Sequence, residues 1–150
     1  MNESQWSLAV PDADLAAALA PMLERGPDEP ALAYRDEDGA WAATTSARLN
    51  DFVKAQCGPD FSAKDFRTWQ GTVTAAMALA ARAGTRSSDS ARKKAVAAAM
   101  REVAEHLGNT PAIARSSYVD PRVIDRFLAG ETIEAPTYRA AERTLRSFLT

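Results

Sequence analysis

Three side chains in the second half of the chain could together break a phosphodiester: the guanidinium of Arg67, the amide of Asn109 and the phenol of Tyr118. A phenol that attacks phosphorus forms a phosphotyrosyl diester. This product keeps the energy of the broken bond and can be attacked again by the freed hydroxyl, so no nucleotide cofactor is needed. The phenol must lose its proton during attack, and nearby positive charge helps it do so. The transition state concentrates negative charge on the non-bridging oxygens, where a planar guanidinium can donate to both in a fork that lysine cannot reproduce. The Asn109 amide can add one hydrogen bond to the same phosphate without needing a particular protonation state.

Each residue also has a plainer reading. Tyr118 reads as a half-buried packing residue, as Tyr34 and Tyr138 do, Arg67 as a surface cation paired with Asp65 or a more distant acid, and Asn109 as a cap after Gly108. His106, on the helix side of the Leu107-Gly108 turn, reads as structural, and Cys57 as a buried core residue. One histidine and one cysteine supply no metal-ligand cluster, and a lone cysteine cannot close an internal disulfide.

The elements that must position these groups are mostly helical. Phe66, Trp69, Val73, Ala76, Met77 and Ala80 recur at helical spacing after a Ser62/Asp65 capping pair, which places Arg67 in the first turns of a long helix whose apolar neighbours hold it. A second amphipathic helix runs over Ser90–Leu107, with Val96, Met100, Val103 and Leu107 inward and Gly108 as its left-handed terminator. Thr110-Pro111 and Asp120-Pro121 each read as a cap followed by the first helical residue, so Tyr118 falls at a helix junction. Gly130 ends the next helix, and Pro136-Thr137 starts a last one through Leu145 and Phe148.

Upstream, Gln5–Val10 reads as a strand, Asp12–Arg25 as a helix with Leu15, Ala18, Leu19, Met22 and Leu23 on one face, and 31–43 as a hairpin closed by the acidic turn Asp36–Gly39. A further helix capped at Thr45 or Ser46 turns Leu49, Phe52 and Val53 inward and ends at Gly58-Pro59. The fold class is therefore mainly α with a small β element at the front. With 150 residues and 46% apolar content, a single domain over 1–150 is expected. The apolar run Val73–Ala81 is stopped by Arg82, well short of the roughly 20 residues that span a bilayer, and no secretion signal opens the chain. A cytoplasmic monomer is expected.

The net charge of −2 conceals an asymmetry. Residues 1–60 carry 4 basic and 11 acidic side chains, whereas residues 61–150 carry 14 basic and 9 acidic. Lys64, Arg67, Arg82, Arg86, Arg92, Lys93, Lys94 and Arg101 face only Asp65 and Asp89 over the same stretch. This set could track phosphates or simply be solvated helix faces. Lys64, Lys93, Lys94 and Arg115 are the candidate DNA contacts.

Two ordered segments, Phe61–Thr72 with its Ala63-Lys64-Asp65-Phe66-Arg67-Thr68-Trp69 run, and Leu107–Pro121 with Leu107-Gly108-Asn109-Thr110-Pro111 leading to Tyr118, resemble the closing part of the type IB DNA topoisomerase catalytic domain. The resemblance is especially to the small bacterial and poxvirus-like forms. The acidic turn and the helix after it extend the likeness over roughly residues 10–135. The resemblance implies the DNA breaking-rejoining fold. It also implies cleavage of one strand of duplex DNA through a 3′-phosphotyrosyl intermediate, rotation and religation, with no metal or nucleotide. Tyr118 becomes the nucleophile, Arg67 the second catalytic arginine, and Asn109 the occupant of a position that is histidine in many relatives.

The family's earlier arginine and its hairpin lysine, the general acid to the leaving 5′-oxygen, have no match in these residues. The resemblance then implies the C-terminal portion of a catalytic domain, weakly active or inactive alone and partnered by an upstream segment or chain that supplies both groups. Two other readings stand beside it. One is a tyrosine recombinase, which shares the fold but normally carries histidine where this chain has Lys64. The other is a non-catalytic DNA-binding remnant.

Overall fold

The computed structural model describes residues 9–85, 88–135 and 137–150. It is mostly helical with one small antiparallel sheet, and divides into two compact units, residues 1–63 and 64–150. Among the described residues no helix is long and apolar enough to cross a membrane. The strand expected over Gln5–Val10 lies mainly outside the described residues; Ala9 and Val10 are exposed and carry no strand.

In the first unit, α1 (Ala13–Leu23) starts where the Asp12 carboxylate accepts the Leu15 N–H at 2.9 Å, and it contains Pro21 close to its end. The hairpin forms as expected: β1 (Ala33–Arg35) pairs with β2 (Trp41–Ala43) in the register Ala33↔Ala43, Tyr34↔Ala42, Arg35↔Trp41. Its acidic turn is closed by Asp36, whose Oδ1 accepts from Asp38 and Ala40 N–H groups at 3.1 and 2.8 Å, with Gly39 at φ 79°. Arg25 and Arg35 stack over the Trp41 ring at 4.8 and 4.2 Å, and Arg48 covers Tyr34 at 4.0 Å. Helix α2 (Ser46–Cys57) is capped by Thr45 and ends at Gly58.

The apolar faces expected to turn inward in this unit are mostly uncovered. No residue of α1 is buried, and in α2 only Val53 is, while Leu49 and Phe52 stay exposed. A two-stranded sheet of three-residue strands presents too little area to cover both helices. Cys57, expected in a core, is exposed at the last turn of α2 for the same reason.

The second unit holds the main core. Helix α3 (Ala63–Ala80) buries Val73, Ala75, Ala76 and Leu79. Helix α4 (Asp89–Leu107) contributes Val96, Ala99, Met100 and Val103. Two short helices, α5 (Pro111–Ser117) and α6 (Pro121–Ala129), bring in Ala114, Val123, Ile124 and Phe127, and α7 (Tyr138–Phe148) adds Ala141 and Leu145. Alanine on facing helix surfaces lets the axes approach closely, and burial of each larger side chain contributes about 1.5–3 kcal/mol. Between α3 and α4 lies a short 3₁₀ turn, Ala83–Thr85, in the expected polar loop, and Ser88 caps α4. Arg86 and Pro136 lie outside the described residues.

Candidate active site

The start of α3 carries Lys64 and Arg67. The end of α4 brings Leu107, Gly108 and Asn109 to the same place, and the junction between α5 and α6 supplies Tyr118. Each junction is built by its sequence. Gly108 takes the left-handed conformation at φ 65°, ψ 39°, and the Asn109 N–H bonds back to the Ala104 carbonyl at 2.8 Å, which closes α4. Thr110 caps α5 with Pro111 in its first turn, and Asp120 caps α6 with Pro121 in the same role. Tyr118 terminates α5 at φ −134°, ψ 2°, its N–H reaching the Ala114 carbonyl at 3.0 Å.

Three of the candidate residues meet around one backbone oxygen and one ring. The Arg67 guanidinium donates to the Leu107 carbonyl at 2.7 Å, and the Asn109 amide donates to the same oxygen through a long 3.4 Å bond. The Arg67 guanidinium carbon also lies 5.1 Å from the centroid of the half-buried Tyr118 ring, and the Lys64 ammonium lies 5.7 Å from it. Two cations against the one aromatic ring hold it by its quadrupole. They also give the site the positive charge that an approaching phosphate requires.

Beneath Tyr118, α3 is shaped to receive the junction. Gly71 is buried, and a Cβ there would stand 2.4 Å from the Tyr118 carbonyl oxygen and 3.1 Å from Leu107 Cδ1. The next residue, Thr72, is 2% exposed, and its hydroxyl bridges two backbone groups. It donates to the Thr68 carbonyl at 2.7 Å and accepts from the Asp120 N–H at 3.1 Å. The Asp120 carboxyl is held below the usual carboxylate range, chiefly by the side-chain hydrogen bond from Arg122, against a smaller upward push from partial burial. The Arg122 Nη2 lies 2.7 Å from Asp120 Oδ2.

Phe66 was expected to anchor Arg67 by its own burial, but it is 60% exposed. The Leu107 carbonyl holds the guanidinium instead. Trp69 does pack against the core, with its indole N–H donating to Glu142 at 3.2 Å. Of the basic set, Arg82 pairs with Glu102, and Arg92 donates to the Leu128 carbonyl at 2.7 Å. Those two are structural. Lys93, Lys94 and Arg115 are exposed and form no ion pair among the described residues. Arg115 sits on α5 close to Tyr118, whereas Lys93 and Lys94 lie about 20 Å along α4 from its Leu107 end. The Nε2 of His106 is buried with no hydrogen-bond partner among the described residues, which also gather no set of three metal-ligating side chains.

Sequence reasoning missed Gly71 and Thr72. A glycine within an otherwise apolar helical run was the available signal for close backbone approach. The Leu107 carbonyl had none, because a main-chain acceptor leaves no trace in residue type.

Residues 33–137 match the family model of the eukaryotic DNA topoisomerase I catalytic core. The match spans most of the chain and includes Lys64, Arg67, Asn109 and Tyr118, so the chain belongs to that family. The family carries a type IB topoisomerase catalytic core, an isomerase whose substrate is DNA. No curated protein matches the chain.

Proposed function

We propose that Tyr118 is the nucleophile of a reversible strand-breaking reaction on duplex DNA. The phenol oxygen forms a bond to phosphorus as the bond to the 5′-oxygen breaks. This leaves a 3′-phosphotyrosyl link and a free 5′-hydroxyl, and the reverse attack by that hydroxyl reseals the strand after rotation. The energy of the phosphodiester is conserved in the link, so the cycle requires no nucleotide.

Arg67 and Asn109 donate to the non-bridging oxygens as their charge grows. The observation that carries this reading is their shared acceptor: Arg67 from the start of α3 and Asn109 from the turn after α4 both donate to the Leu107 carbonyl, and the Arg67 guanidinium carbon lies 5.1 Å from the Tyr118 ring centroid. Lys64 and Arg115 contact phosphates near the break, and Lys93 and Lys94 contact phosphates farther along the duplex. A proton must reach the leaving 5′-oxygen, and on this reading the family's hairpin lysine and first arginine are supplied by an upstream segment or chain. General acid catalysis of this kind typically contributes about 100-fold to 10,000-fold.

The test joins this chain to a family segment that provides both missing groups and presents a nicked suicide duplex in the presence of a chelator. A protein–DNA adduct on a denaturing gel is expected from the joined chain and not from its Tyr118→Phe variant. That substitution removes only the attacking oxygen and keeps the ring under Lys64 and Arg67. An adduct that survives in Tyr118→Phe would assign the nucleophile elsewhere. DNA binding without any adduct would favour a non-catalytic module.

A further inference from the structure

Two consecutive residues of α3 grip the backbone on both sides of the residue after Tyr118. Gly71 leaves open the space that the Tyr118 carbonyl fills, and Thr72 receives the Asp120 N–H. The Thr72 hydroxyl has a single hydrogen, and that hydrogen is committed to the Thr68 carbonyl one turn earlier. Its lone pair is therefore aimed at Asp120 and cannot reorient without breaking a bond in a site closed to water. Thr72 is also the only polar residue buried this deeply among the described residues. An Ala or Val would fill the same helix face with no polar group to satisfy, so the hydroxyl is not explained by core packing.

The same helix carries Arg67 one turn ahead of Gly71, with its guanidinium 5.1 Å from the Tyr118 ring centroid. A rigid helix thus sets the phosphate donor and the nucleophile's backbone in one frame. We propose, resting on the role assigned to Tyr118 above, that Thr72 is a positioning residue: its hydroxyl, acting with the gap at Gly71, fixes the Tyr118–Asp120 backbone so that the phenol meets a phosphate held by Arg67. It touches no reacting atom. Its effect passes through the Asp120 N–H and the caps at the α5–α6 junction.

Thr72→Val keeps the branched shape and removes the acceptor, and Thr72→Ser restores it. Two measurements separate the outcomes. In the free chain, residue-resolved hydrogen exchange should show the Asp120 amide of Thr72→Val exchanging faster than in the parent while core amides of α3 and α4 stay protected. In the joined catalytic domain at saturating duplex, single-turnover adduct formation should slow by roughly tenfold to 100-fold, the loss expected when a reacting group is slightly misplaced. DNA affinity should be unchanged, and Thr72→Ser should recover most of both effects. The proposal is overturned by unaltered Asp120 exchange, by cleavage at the parent rate, or by rate and affinity falling together with the folded fraction. If the parent itself gives no Tyr118-dependent adduct, the reading of Tyr118 fails and the proposal falls with it. If the parent cleaves and Thr72→Val cleaves equally well, only the proposal falls.

Discussion

Arg67 and Asn109 donate to one acceptor, the Leu107 carbonyl, at 2.7 and 3.4 Å. That carbonyl belongs to the last residue of α4, at a helix end where carbonyls lack intrahelical partners and the dipole is negative. It gives the exposed Arg67 side chain a fixed partner and keeps its guanidinium over the Tyr118 ring. A phosphate oxygen bears more charge than a carbonyl and forms the stronger bond to a guanidinium. On the reading proposed above, an incoming phosphate would compete with this carbonyl for both donors.

Gly71→Ala offers a direct check on how tightly α3 meets the Tyr118 junction. In an open helix the change would stabilise by about 1 kcal/mol. Here the new Cβ would stand 2.4 Å from a backbone oxygen, which cannot rotate away as a side-chain tip could. The expected net effect is a loss of about 1–3 kcal/mol, read as a lower midpoint in thermal unfolding. Gly84→Ala, where nothing lies within 4 Å, should leave the midpoint nearly unchanged. A stabilised Gly71→Ala variant would show that the junction yields easily.

How much of this was legible depended on where the determining force lay. Junctions set by local chemistry were readable: Gly108, Thr110-Pro111, Asp120-Pro121 and Gly130 all act where their types predict. The core of the second unit followed its helical periodicity. Burial in the first unit did not, because the apolar stripes of α1 and α2 specify a face but not the area available to cover it. The same limit explains Phe66, whose spacing matched Trp69 and Val73 although it lies near the exposed start of α3. The types and order of Arg67, Asn109 and Tyr118 were legible. Their link through the Leu107 carbonyl, and the Gly71-Thr72 seat, depend on tertiary contacts between distant backbone groups.

Acid should weaken the α5–α6 junction through Asp120. Its carboxyl is held low first by the Arg122 side-chain hydrogen bond, then by the Arg122 N–H and the guanidinium charge. A folded-state value below the unfolded one contributes stability that is fully present above the unfolded value, about 3.9 for aspartate, and is lost as pH falls through the folded value. Urea unfolding followed downward from about pH 4 should therefore show a steeper loss in the parent than in Asp120→Asn, which can still cap α6 but cannot ionise. Parallel acid limbs would mean that the Asp120–Arg122 pair adds nothing.

The exposed cations that form no ion pair among the described residues should be visible in salt dependence. Each phosphate contact contributes about 0.9 to the slope of log affinity against log salt. Neutralising Lys93, Lys94 and Arg115 with glutamine should lower the slope measured for duplex binding by about 1–3, according to how many touch phosphate together. Arg82→Gln should leave the slope unaltered, since that side chain already pairs with Glu102. Equal slopes for the triple variant and the parent would place the duplex on another surface.

Arg67→Lys tests the central chemical claim. Lysine keeps the charge and much of the reach, and can still donate to the Leu107 carbonyl, so folding and duplex affinity should change little. It cannot offer two parallel donors to the two non-bridging oxygens of a transition state. Loss of a donor that acts on developing charge typically costs about 100-fold to 1,000-fold in rate. In the joined catalytic domain, single-turnover adduct formation by Arg67→Lys should fall by about that factor, while Asn109→Ala, which gives up a single longer bond, should fall less. Asn109→His should stay close to the parent, because an imidazole can donate from the same position. An Arg67→Lys variant that cleaves at the parent rate with unchanged affinity would mean that charge alone suffices there. The shared Leu107 carbonyl would then be a helix-end contact with no bearing on the phosphate.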